Sequence, residues 1–167
     1  MKTVIADWPN YLAEVFRVTA SGGHIQLTEM TMTFTSQNGR LSDDSGLKVM
    51  ERTLHKYAAI KQFDFQIGSK LSTLATNAGF HSVEEKVVEV PIGGWQSGEM
   101  FLRNALMTDT NLAKVGTLMM EHFIEAVGVW GRHCMIEIGV PEDAVDMYLE
   151  KVRRELKDQR HQLTVTA

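Results

Sequence analysis

At 167 residues, with 44% hydrophobic and 23% charged side chains, the chain has the size and composition of one globular domain, which excludes fibrous and disordered classes. Lys and Arg number 17 against 21 Asp and Glu, a formal charge of −4 without any basic stripe, and this speaks against nucleic acid or an anionic membrane as partner. One cysteine, Cys134, rules out an internal disulfide, no apolar run nears the ~18 residues of a membrane span, and Met1-Lys2-Thr3-Val4 opens no signal peptide, so a reducing, cytoplasmic compartment is expected.

The predicted elements begin at Asp7-Trp8-Pro9, an N-cap followed by a first-turn proline, with Leu12, Val15 and Phe16 on one face; Pro9 to Thr19 reads as a short amphipathic helix. Gly22-Gly23 turns the chain into a strand from His24 to about Thr35, which ends at the turn Gln37-Asn38-Gly39. Ile25 and Leu27 alternate with polar neighbours, and so do Met30, Met32 and Phe34, but the parity slips at Glu29, as at a bulge or at a passage between two packing surroundings. Helix, glycine turn and strand in succession form an α/β signature.

Ser42 to Ser45 supplies the next cap, and Leu47, Met50, Leu54, Tyr57 and Ala58 recur at helical spacing up to Lys61. Leu71, Leu74, Ala75 and Ala78 mark a brief helix stopped by Gly79. Val83 to Val90 reads as a half-exposed edge strand ended by Pro91, because Glu84, Glu85 and Glu89 interrupt it. After the turn at Gly93-Gly94-Trp95 come a helix carrying Met100, Phe101, Ala105 and Leu106 and another carrying Leu112, Val115, Met119, Phe123 and Val127. Gly128 to Gly139 reads as a connector. A last helix starts at Pro141-Glu142-Asp143, buries Val145, Leu149, Val152 and Leu156, and ends among Lys151, Arg153, Arg154 and Lys157, a charge order that complements the helix dipole. The tail from Gln162 to Thr166 is β-prone. No repeat, low-complexity tract or linker divides residues 1–167, which read as a single domain.

Certain runs carry a resemblance. Asp7-Trp8-Pro9, Phe16-Arg17, Ser21 to Glu29, Asn38-Gly39, Ala78-Gly79-Phe80, Val90-Pro91-Ile92-Gly93 with Trp95, and Glu155-Leu156-Lys157-Asp158 follow one another as in the C-terminal, substrate-side half of fungal S-adenosylmethionine-dependent methyltransferases. The chain resembles the type related to the velvet-associated regulator of secondary metabolism. The resemblance implies an α/β domain, α+β in content: a truncated Rossmann-like fold, mostly helical, with a small sheet of about three strands under helices. It implies strands five, seven and six in that order, and an edge at Ile25 to Phe34 that lacks its usual neighbour. A bare apolar edge invites pairing, so a homodimer through that edge is expected, with coverage by the N-terminal helix as the monomeric alternative. The glycine-rich turn and the acid that hold the cofactor in this family have no counterpart here, so no cofactor is expected.

What survives by this resemblance is the acceptor side, whose expected ligand is a hydrophobic small molecule. Glu29, Arg103, Asn104 and His122 are the candidate catalytic groups, Arg103-Asn104 being a cation and an amide able to hold a carbonyl or carboxylate. Met32, Trp95, Met100, Met119, Phe123 and Trp130 are the candidate pocket walls, methionine being adaptable and tryptophan suited to a loop beside glycines. Each has a plainer reading: Glu29 as a solvated strand end, His122 as a partly buried packing residue beside Met119 and Phe123, Arg103-Asn104 as solvent-facing, the aromatics as core. His55 reads as a surface histidine. The histidines lack metal-ligand spacing, no G-x-S-x-G elbow occurs, and Cys134 has no partner base in the sequence and reads as buried.

The function expected is binding of a biosynthetic intermediate and its cyclisation or isomerisation, a Diels-Alderase-like role without methyl transfer. Two alternatives stand beside it: the substrate half of a methyltransferase that needs a partner, and a non-catalytic regulatory interaction module.

Overall fold

The structure, a computed structural model, describes residues 5–95 and 109–167. Asp7 opens helix α1 (Trp8–Val18) by accepting the Asn10 amide at 3.0 Å, with Pro9 in the first turn, as its residue types dictate. Ser45 caps helix α2 (Gly46–Lys61) through the Lys48 amide, and Gln62 ends it in the left-handed conformation. A 3-10 turn (Ile67–Lys70) leads into helix α3 (Leu71–Asn77), after which Gly79 takes φ +109.

The sheet has three strands, β1 (Phe34–Ser36), β2 (Glu89–Ile92) and β3 (Leu163–Thr166), in the order β1-β3-β2. The C-terminal strand is therefore central, and both neighbours run antiparallel to it, with Val165 opposite Phe34 on one side and Val90 on the other. Thr164, a buried polar side chain, is satisfied by the Thr35 hydroxyl at 2.6 Å. This order is the one that the resemblance implies for strands five, seven and six. Helix α4 (Asp109–Ala126) packs on β2 and α2 on β1, while α5 (Arg132–Glu137) and α6 (Glu142–Lys157) pack against α2 and each other. Val145, Leu149, Val152 and Leu156 are all buried, the stripe expected of α6.

Three expectations need correction. The strand from His24 to Thr35 joins the sheet only at its end; before Phe34 the chain forms no regular element and is anchored by the Thr31 amide on the Thr166 carbonyl at 2.9 Å. The parity slip has a physical cause. Ile25 and Leu27 pack with Trp8, Leu12 and Ile67 in a small cluster, whereas Met30 and Met32 pack on the main core around Phe34 and Phe123, so the stretch passes from one core to the other at Glu29. Next, the strand expected at Val83 to Val90 pairs as Glu89–Ile92, with Pro91 inside it; β2 is an edge strand, where a missing amide is tolerated. Finally, the connector Gly128 to Gly139 is helical: a π-helical turn (Val127–Gly131) runs into α5.

The edge expected to be bare is covered at both ends. Packing with Trp8 and Leu12 of α1 and Leu71 and Leu74 of α3 accounts for Ile25 and Leu27, and the Phe34 amide donates to the Glu51 carboxylate of α2 at 3.1 Å. One close approach fixes how α4 sits on the sheet: the Gly93 amide, at φ +98, donates to the Gly116 carbonyl at 2.8 Å, and a Cβ on Gly116 would stand 2.2 Å from the Gly93 carbonyl oxygen.

Candidate functional site

Of the predicted pocket walls, Phe123, Met32 and Met119 belong to the main core, and Trp95 follows β2. Phe123 is 2% exposed and meets Phe34 edge-on, with ring centroids 5.2 Å apart. Met32 and Met119 are half-buried against the same cluster, beside Met30 and Met120. Trp95 folds back over the sheet end, its indole N–H shared between the carbonyls of Ile92 and Leu163 at 3.1 Å each. An aromatic wall at a glycine corner is thus held by two backbone acceptors, which fixes its orientation.

The remaining candidates disperse. Glu29 is half-buried, its carbonyl lying beside Gly68 in the turn that precedes α3. His122 is exposed, its ring edge-on to Phe123 at 5.9 Å between centroids, which corrects its reading as a partly buried packing residue. Trp130 is 39% exposed on the π-helical turn. Met100, Arg103 and Asn104, together with the helix expected from Met100 to Leu106, lie outside the described residues. His55 is half-buried and meets Phe65 edge-on.

A polar cluster that sequence reasoning missed lies between α2 and α5. The Tyr57 hydroxyl is 3.2 Å from His133 Nε2, and Lys61 Nζ bonds Glu137 at 2.8 Å while standing 5.6 Å from the Tyr57 ring centroid. The Lys61 ammonium holds the Glu137 carboxyl below its ordinary range, and Glu137 in turn raises Lys61. Tyr57 and Lys61, like His133 and Glu137, are four apart and so share a helix face. That spacing was legible in the sequence, but the pairing of the two helices was not. Cys134 of α5 is fully buried in the main core, and burial pushes its thiol up to about 11, which disfavours the reactive thiolate.

Among the described residues no group of three His, Cys, Asp or Glu is placed to hold a metal ion, and no described helix is long and apolar enough to cross a membrane.

Comparison with known proteins gives one informative likeness. The chain is similar to the protein named methyltransferase cpsF of Aspergillus campestris, with 24% identity over 116 residues, which are 70% of this chain and 41% of that relative. The match thus spans less than half of the relative's length. No family model matches the chain, and no solved structure matches it. The relationship is that of a small α/β domain distantly similar to a fungal methyltransferase.

Proposed function

We propose that this domain is a methyltransferase-like protein of secondary metabolism that binds a hydrophobic biosynthetic intermediate and promotes its cyclisation or isomerisation without a methyl donor. The observation that carries the reading is the sheet order β1-β3-β2, the last strand central and antiparallel to both neighbours, in a chain similar to a methyltransferase over 116 residues. On this reading Met32, Met119 and Trp95 shape the apolar wall with Phe123 behind it, and Arg103 or Asn104, outside the described residues, is the candidate for the polar contact to a substrate carbonyl. A unimolecular closure needs little more than confinement of its reacting ends and one oriented donor. Self-association along the β1 side belongs to the same proposal, in a cytoplasmic setting.

A second reading takes support from the relative's length: since the match covers 41% of it, the domain is the acceptor side of a methyltransferase completed by a cofactor-binding partner. Calorimetric titration with S-adenosylmethionine, with the solution mass recorded alongside, separates the two when joined to product analysis in a host that makes the intermediate. A product isomeric with its precursor and no uptake of S-adenosylmethionine fit the first reading. Saturable cofactor binding, or a product heavier by one methylene, overturns it in favour of the second.

A further inference from the structure

The C-terminal turn of α6 and the 3-10 turn after it (Gln159–His161) border an open cleft of about 200 Å³ lined by Lys151, Arg154, Glu155, Asp158 and His161, of which Arg154 is exposed. All five side chains are ionisable, so the hydrogen bonds of each decide what the cleft has left to offer. Both acids are engaged. Glu155 accepts the Gly46 and Leu47 amides at the start of α2 at 2.9 and 2.8 Å, one on each carboxylate oxygen. Asp158 is held by the fork of Arg160, with Nε at 2.8 Å from Oδ1 and Nη2 at 2.7 Å from Oδ2, and it also accepts the Arg160 amide.

The cations are not matched in the same way. Lys151 Nζ donates to the Asp44 carbonyl at 2.9 Å and feels the Asp44 carboxylate beside it, but an ammonium has three protons and this bond uses one. Among the described residues, the Arg154 guanidinium has no side-chain or backbone acceptor. His161 Nδ1 is buried with no hydrogen-bond partner, and Nε2 stands 3.8 Å from Asp158, so in the imidazolium form this ring too carries an unused donor. Cations near a helix C-terminus complement the macrodipole, which explains the sign of the charge here. It does not explain why donors without acceptors converge on a concavity many times the ~30 Å³ share of a single water.

We infer that this cleft is a binding site for a small oxyanion, a carboxylate or a phosphate, held by Arg154 and Lys151 with the His161 ring as its wall. A planar fork and a compact ammonium suit either head group, and the volume leaves room for a short carbon chain behind it. Because Lys151, Arg154 and His161 are none of the residues that the cyclase reading uses, the site stands or falls independently of that reading.

The test uses the whole protein with two probes, inorganic phosphate and succinate, followed by amide and histidine chemical shifts. Saturable shifts at Arg154 and His161 are expected with at least one probe: with phosphate alone for a phosphate site, with succinate alone for a carboxylate site. Arg154→Ala should weaken that binding by about tenfold or more, as loss of a charged hydrogen bond requires, while Lys114→Ala on α4 leaves it unchanged. A folded wild-type protein that shows no saturable shift with either probe overturns the proposal. So does an Arg154→Ala variant, with native circular dichroism, that binds as the wild type does.

Discussion

Glu155 of α6 holds the backbone amide of Gly46 at 2.9 Å, and its other oxygen holds Leu47 at 2.8 Å, so a carboxylate from one helix closes the first turn of another. The approach is close: a Cβ on Gly46 would lie 3.1 Å from Lys151 Cγ and 3.2 Å from the Val152 amide nitrogen. A helix N-terminus leaves amides without partners, and an anion there also meets the positive end of the dipole. Glu155→Ala strands both amides in a part-buried seam and is expected to lower the unfolding free energy by about 1–3 kcal/mol. Glu155→Gln, which keeps one acceptor, should lose less. Urea unfolding checks the order; equal midpoints for the three proteins would show that the clamp adds no stability.

Gly116 tests the seam between α4 and β2. A methyl group there meets the Gly93 carbonyl at 2.2 Å, and that oxygen belongs to backbone already bonded to Gly116 itself. Gly116→Ala is therefore expected to destabilise by about 1–3 kcal/mol despite alanine's better helix propensity. Gly128→Ala is the contrast, since its Cβ meets only the flexible end of Arg153 at 3.1 Å. Thermal unfolding should show a lower midpoint for the first and little change for the second; a Gly116 variant as stable as wild type would mean that the two elements slide apart without cost.

Much of this arrangement was legible in the residues. Capping by Asp7 and Ser45, the buried stripe of α6 and the stop at Gly79 are local, so the chain states them directly. The β-prone tail was visible too, but its central place depends on pairing with β1 and β2, which are distant in sequence. The parity slip at Glu29 was visible as a slip, while its cause, two separate clusters, required the fold. The π-helical turn at Val127 to Gly131 hid behind two glycines that read as connector. Of the predicted site, Met32, Met119 and Phe123 converge because apolar spacing reports a shared core. Half-buried Glu29 and exposed His122 and Trp130 do not, because the place of a side chain outside the apolar stripe has no periodic signal.

Asp158 gives a pH dependence of known sign. The Arg160 guanidinium bonded to it holds its carboxyl down at about 2, with the Arg160 amide and His161 acting in the same direction. A carboxyl whose folded value lies below its unfolded value of about 3.9 stabilises the fold above that value. The contribution fades as pH falls from about 4 through about 2, where both states bind the proton. Asp158→Asn removes it, so the gap in urea midpoint between wild type and variant should be widest near neutral pH and close at the acid end. A gap that stays constant over that window would mean that the pairing does not hold in solution.

Phe123 and Trp130 separate packing from surface within the predicted pocket walls. Phe123 is 2% exposed and stacks edge-on with Phe34 across the seam between α4 and the sheet. Truncation to alanine leaves a cavity that close-packed neighbours cannot fill, and a loss of about 3–5 kcal/mol is expected. Trp130 is 39% exposed on the π-helical turn, so Trp130→Ala should stay within about 1 kcal/mol of wild type. Guanidinium unfolding of both variants decides the matter. If Trp130→Ala instead costs as much as Phe123→Ala, the indole packs in solution against something that its exposed setting does not provide, and self-association through that face becomes the next quantity to measure, by the concentration dependence of the midpoint.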